Sequence, residues 1–163
     1  MARQHYVVPQ GTLDTAITVR LGAGNTANDN YTEYEVGKPV KLVAESRYDL
    51  CAAGDEIEAL VTSVELATQG GYSIGGIVCE GIVYATADGL QATPGTGTIA
   101  VGDYVLAGTA TAKGTALTNY FKVVKATSQS AAKATPFAWR VLSLGTAGTG
   151  AVGTTIVLKR VAS

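Results

Sequence analysis

The chain has 163 residues, a net charge of −1 and 15% charged side chains, a balance that suits one folded domain and argues against a self-repelling coil. No run approaches the ~18 apolar residues of a membrane span, and the Met1–Tyr6 start lacks the apolar stretch of a secretory signal. Cys51 and Cys79, without a CxxC pair, make neither a disulfide framework nor a zinc site; two small buried side chains in a reducing compartment are expected.

Residues 1–12 are expected to form an arm, with Tyr6, Val7 and Val8 as strand formers before Pro9 and Gly11. Residues 13–163 then make a single β-rich domain. Ile17, Val19 and Leu21 alternate with Thr18 and Arg20, predicting a half-buried strand. Residues 22–30 follow as a long polar loop. Val40 and Leu42 leave a Gly37-Lys38-Pro39 turn as a second strand, and residues 46–56 read as an irregular excursion. Ile57, Ala59 and Val61 alternate, while Val64 and Leu66 are shifted by one position, which predicts a bulge.

Residues 70–108 are a run of short apolar segments cut off by glycine. Ile77-Val78-Cys79 ends at Glu80-Gly81, Ile82-Val83-Tyr84 runs to Asp88-Gly89, and Tyr104-Val105-Leu106 follows Gly102-Asp103. Such pairs between β-branched runs predict tight turns between strands. Lys113–Thr118 is expected as a hairpin tip leading to Phe121 and Val123. Residues 127–135 read as a loop or one helical turn. Phe137, Trp139 and Val141 alternate in the most aromatic strand, with Trp139 packed inside. A glycine-rich connection at 145–153 leads to a closing strand at 155–161.

The fold class that follows is all-β, a small β-sandwich or β-barrel (β-tulip-like) with an N-terminal arm and long loops. The core is thin, because Val, Leu, Ile and Phe supply only about a quarter of the chain, and subunit contacts are expected to complete it. One internal echo is present: Val36-Gly37-x-x-Val40 and Val101-Gly102-x-x-Val105. A glycine turning into a strand accounts for it without duplication.

Charge is unevenly spread. Residues 1–103 hold all 13 acidic groups against 5 basic ones, and residues 104–163 hold 7 basic groups alone, about −8 against +7. Interleaved strands would average this in space; otherwise acidic and basic faces complement neighbouring protein surfaces. The basic set lacks interleaved aromatics, so nucleic-acid binding is not expected.

No enzyme can be assembled from these residues. Gly22-Ala23-Gly24-Asn25-Thr26-Ala27 matches GxGxxA, yet Asn28-Asp29-Asn30 does not open the helix a dinucleotide site needs. His5 is the sole histidine and sits in the arm, which leaves no serine–histidine–aspartate triad. Asp55, Glu56 and Glu58 lack calcium-loop spacing and read as a solvated turn. Glu33 with Glu35, and Glu56 with Glu58, would each share a strand face. Paired acids of that kind serve glycoside hydrolysis only beside aromatic sugar platforms, and Trp139 is the one tryptophan. No cofactor and no metal are expected.

Residues 36–110 and 154–161 resemble the tailed-phage capsid decoration, or head cement, proteins. The resemblance rests on Gly75-Gly76-Ile77-Val78-Cys79-Glu80-Gly81-Ile82-Val83, on Ile99-Ala100-Val101-Gly102-Asp103-Tyr104-Val105, and on a glycine-rich turn into Thr155-Ile156-Val157-Leu158. It implies a structural virion protein, made in the host cytoplasm, that stabilises the outside of an icosahedral head. Its partners would be the major capsid protein and further copies of itself, as a homotrimer, with no nucleic acid and no membrane. An arm that adds a strand to a capsid loop would suit this. Candidate capsid- or subunit-interface residues are Arg3, His5, Tyr6, Val7, Val8, Lys122, Lys125 and Arg140. Another virion part (head-fibre base, tail-tube or capsid subunit) and a carbohydrate-binding β-sandwich remain the alternatives.

Overall fold

The computed structural model describes residues 16–22, 31–65, 72–127 and 137–162. These form an all-β protein. The first group of strands is β1 (Ile17–Leu21), β2 (Pro39–Ala44), β3 (Arg47–Leu50), β4 (Ala59–Glu65) and β5 (Ser73–Val78). They hydrogen-bond in the order β1-β3-β2-β4-β5 and close into a barrel. The second group is β6 (Ile82–Leu90), β7 (Thr93–Pro94), β8 (Tyr104–Ala107), β9 (Lys122–Lys125), β10 (Phe137–Ser143) and β11 (Thr155–Ala162). Its order is β11-β10-β8-β9-β6-β7, and β11 pairs in addition with β6. The strands β6, β9, β8, β10 and β11 therefore also return on themselves, with β7 an appendage of β6.

The two rings share one topology. In each, the first strand pairs in parallel with the third (β1 with β3, β6 with β9), and the other four pairings are antiparallel. Registers repeat as well. Val40 faces Leu50, and Val105 faces Lys125. Ile17 faces Ile77, and Ile82 faces Lys159. A bulge interrupts β4 between Val61 and Ser63 and β10 between Val141 and Ser143. The Val-Gly echo falls at the same place in both rings, on the turn into the second strand. Gly37 N–H donates to the Val61 carbonyl (2.8 Å), and Gly102 N–H to the Val141 carbonyl (2.9 Å). Both glycines hold a left-handed φ, +86° and +91°, that a side chain would resist. The echo thus marks a structural repeat, which the sequence alone did not disclose: a glycine-led turn is too common a signal to carry that inference.

Packing follows the alternation of the strands. Val19, Leu21, Val40, Ala59, Val61 and Ile77 fill the first barrel, roofed by Tyr31. Val83, Ala85, Val105, Val123, Trp139, Val141, Ile156 and Leu158 fill the second. That second core also takes Cys51, Ile57, Leu60 and Val78 from the first half of the chain. Leu60 and Val78 do so because alternate residues of β4 and β5 point out of the first barrel, onto the second. Trp139 lies inside as expected, and its indole N–H donates to the Ile57 carbonyl across the seam (3.0 Å). The barrels are therefore welded by a continuous core.

Several expectations need correction. Asp88-Gly89 is no turn between strands, since β6 continues through it to Leu90. The buried Asp88 carboxylate accepts from Thr109 N–H (2.7 Å), and Gly89 lies so close under Thr96 that a β-carbon would collide with its backbone. Both residues are tied to neighbours, and the strand passes through them with a shift of register against β9 between Ala87 and Leu90 rather than a turn. Glu80-Gly81 is no hairpin turn either; it carries the chain from one barrel to the other. The stretch 46–56 is not wholly irregular, because Arg47–Leu50 closes the first ring as β3. Glu33 and Glu35 occupy a 3-10 helix, Glu33–Glu35, with Glu35 buried and Glu33 exposed, so they share no strand face. Glu56 and Glu58 precede β4 and lie in no strand. In the half-buried first strand Val19 and Leu21 are buried but Ile17, at its start, is exposed. The barrels occupy successive parts of the chain, so their strands do not interleave; in the sequence, residues 1–81 carry 11 acidic and 5 basic side chains, and residues 82–163 carry 2 and 7.

Candidate functional site

The seam between the barrels holds the most elaborate polar arrangement among the described residues. Thr32, Glu35 and Lys38 position it. Thr32 caps the short helix and Glu35 reaches back to the cap, the reciprocal bonding of a capping box. The Glu35 carboxylate accepts from Thr32 N–H (2.6 Å), the Thr32 hydroxyl (2.9 Å), Gly114 N–H (2.5 Å) and Lys38 Nζ (3.3 Å). Lys38 Nζ also donates to the Ala112 carbonyl (2.9 Å). Glu35 and Lys38 are both almost fully buried. Burial raises the Glu35 carboxyl's pKa, but the bonds from Gly114 and Thr32 and the ammonium of Lys38 outweigh it, and the net direction is down. Burial pushes the Lys38 ammonium down despite its partner.

This pair clasps the loop 108–121, an insertion of the second barrel, onto the first. Lys113 from the same loop lies over the Tyr31 ring, 4.4 Å from its centre. Tyr31 in turn donates a short hydroxyl bond to Asp49 and accepts from Leu50 N–H (3.2 Å). The expected hairpin tip at 113–118 is thus present between the paired strands β8 and β9, but folded back onto its neighbour. The arrangement fixes one loop, and its Glu35 carboxylate and Lys38 ammonium are shut away from solvent. A crevice beside it, lined by Lys38, Leu50, Cys51, Thr109, Leu117 and Phe121, has room for a water or two.

Asp55 is committed to its own loop and to β2: it pairs with Lys41 (2.6 Å) and accepts from Ala52 N–H (2.7 Å). Among the described residues no group of three His, Cys, Asp or Glu is placed to hold a metal. Cys51 is a buried thiol whose pKa burial pushes up; Cys79 is half-buried, and neither is in a disulfide.

The sequence-derived interface candidates divide. Arg3, His5, Tyr6, Val7 and Val8 lie outside the described residues, as does the 127–135 connection beyond Thr127. Lys122 is exposed at 3.9 Å from Asp88, and Lys125 is half-exposed at 3.0 Å from Asp103. Arg140 is exposed, donates to the Gly102 carbonyl (3.0 Å) and lies over Tyr104. Lys122 and Arg140 share the outer face of the second barrel, where Val124 and Ala138 also pack. Lys125 alternates to the other side, so the three do not form one patch.

Glu35 and Lys38 were missed as a unit by sequence reasoning, although the Thr32-x-x-Glu35 spacing of a capping box was there to read. Large apolar side chains also remain exposed, among them Tyr34, Leu42, Val43, Val101 and Leu142. Compared with family models and with curated proteins, the chain matches none.

Proposed function

We propose that this protein is a structural virion subunit, a capsid decoration protein that binds the outside of an expanded phage head and reinforces it as an oligomer. The observation that carries the reading is architectural: two small barrels with filled interiors are welded into a rigid unit and divided in charge, about −6 over residues 1–81 and +5 over 82–163. A body whose buried ion pair is spent on clasping its own loop, and which displays apolar side chains outside, is built to be bonded laterally. The resemblance of the glycine-terminated strands 75–83 and 99–105 to head cement proteins adds the partner, the major capsid protein. On this reading the head is contacted through the arm residues Arg3, His5, Tyr6, Val7 and Val8 and through the basic outer face bearing Lys122 and Arg140.

Co-sedimentation with purified heads tests it. The protein is expected to pellet with expanded heads and to stay in solution with unexpanded ones. Deleting residues 2–10 should reduce occupancy without changing the melting temperature. Equal pelleting with both head forms, or with neither, would refute the reading.

A further inference from the structure

The repeat gives each surface of one barrel a counterpart on the other, and one pair of counterparts differs in what covers it. In the second barrel, β8 runs past Val105, the last residue that β10 pairs on that edge. The edge beyond is taken by the first barrel: Ala107 N–H donates to the Asp55 carbonyl (2.9 Å), and Gly54 N–H donates to the Ala107 carbonyl (2.8 Å). Counting back by the spacing that separates the two Val-Gly turns, the counterpart of Ala107 is Leu42. In the first barrel β2 likewise runs past Val40, where pairing with β4 stops. Among the described residues no strand pairs with Lys41–Ala44 on that side. Ala107 is 1% exposed, whereas Leu42 is 46% and the adjoining Val43 38%. The same spacing relates Ile99, 2% exposed, to Tyr34, 42% exposed.

We propose that a second copy of this chain docks its second barrel on the β2 edge, pairing with Lys41–Ala44 and covering Leu42 and Val43. The contact between copies would repeat the one that the first barrel makes with the second inside each copy. Two observations select this occupant. The interface it continues already exists within the chain, with backbone pairing at the counterpart residue. The charge division also favours it, since an acidic first barrel attracts a basic second barrel and repels another first barrel. Such a contact is head-to-tail, and head-to-tail contacts close into rings when the rotation between copies allows. It deepens the oligomer of the reading above and needs no head for its test.

Sedimentation velocity on the full chain, from micromolar to millimolar concentration, reads it directly. The wild-type protein is expected to associate at low salt and to weaken at about 1 M salt, where the Debye length is ~3 Å. Leu42→Asp should weaken association at least about tenfold, the behaviour of a contact at the centre of an interface. The milder double variant Leu42→Ser with Val43→Ser should act in the same direction. Both positions are exposed, so circular dichroism and melting should match the wild type. A chain that stays monomeric to millimolar concentration overturns the proposal, and so does Leu42→Asp associating like the wild type. If deleting residues 2–10 abolishes association while Leu42→Asp does not, the arm is the contact and the proposal fails.

Discussion

Replacing Glu35 with Gln should be among the most damaging single changes outside the apolar cores. The amide keeps the carboxylate's shape, yet it turns one acceptor into a donor and leaves Lys38 buried without a counter-charge. Glu35 and Lys38 are exposed by 0% and 2%, so solvent cannot make up the loss. Breaking one partner of a buried ion pair costs about 3–5 kcal/mol. For a chain of this length each kcal/mol lowers the melting temperature by about 2–4 °C, giving a drop of about 6–20 °C at neutral pH. Lys38→Met should cost less, about 1–3 kcal/mol, because Glu35 keeps its bonds from Thr32 and Gly114 while Ala112 loses a donor. The double variant should be no worse than Glu35→Gln alone, since removing Lys38 removes the orphaned charge. The pH dependence has a defined sign. Glu35's carboxyl is held below its ordinary value when folded, so its contribution is full above the unfolded value and fades as pH falls through the folded one. Glu35→Gln should lose that part of the acid transition. Thermal and urea unfolding, followed by circular dichroism and Trp139 fluorescence, read all of this. A Glu35→Gln variant within about 0.5 kcal/mol of wild type would refute the clasp as a determinant of stability.

Trp139→Ala should destabilise by about 3–5 kcal/mol, and Trp139→Phe by less, about 1–3, for the unpaired Ile57 carbonyl it leaves; equilibrium unfolding separates the two. Gly89→Ala should cost more than about 2 kcal/mol, combining a φ of +85° with collision against Thr96, whereas Gly95→Ala, at a similar φ in open space, should cost about 1 kcal/mol. Cys51 should resist a thiol reagent until the protein unfolds, because burial disfavours its thiolate; labelling followed by peptide mass mapping should show Cys79 modified first.

Much of the β-architecture was legible because strands of this kind announce themselves by alternation and glycine. β1, β4 with its bulge, β8, β10 and β11 stand where Val19 and Leu21, Val61 and Val64, Tyr104 to Leu106, Trp139 and Val141, and Ile156 to Leu158 place them. β3 was not legible, because Arg47-Tyr48-Asp49-Leu50 carries polar residues that the barrel exterior tolerates and a propensity reading discounts. Asp88-Gly89 misled for the opposite reason. Its turn chemistry is genuine, but Thr96, Thr109 and Lys122 impose a continuous strand through contacts distant in sequence. The clasp was hidden because its partners, Glu35 and Gly114, lie 79 positions apart. The repeat was hidden because registers and bulges, rather than residue identities, carry it.

The most direct test of the functional account is electron cryo-microscopy of expanded heads mixed with the purified protein. The account predicts density on the outer surface at repeated lattice positions, into which the two-barrel body fits, with copies touching one another. Density inside the head or along a tail, or heads left bare at saturating protein, would contradict it.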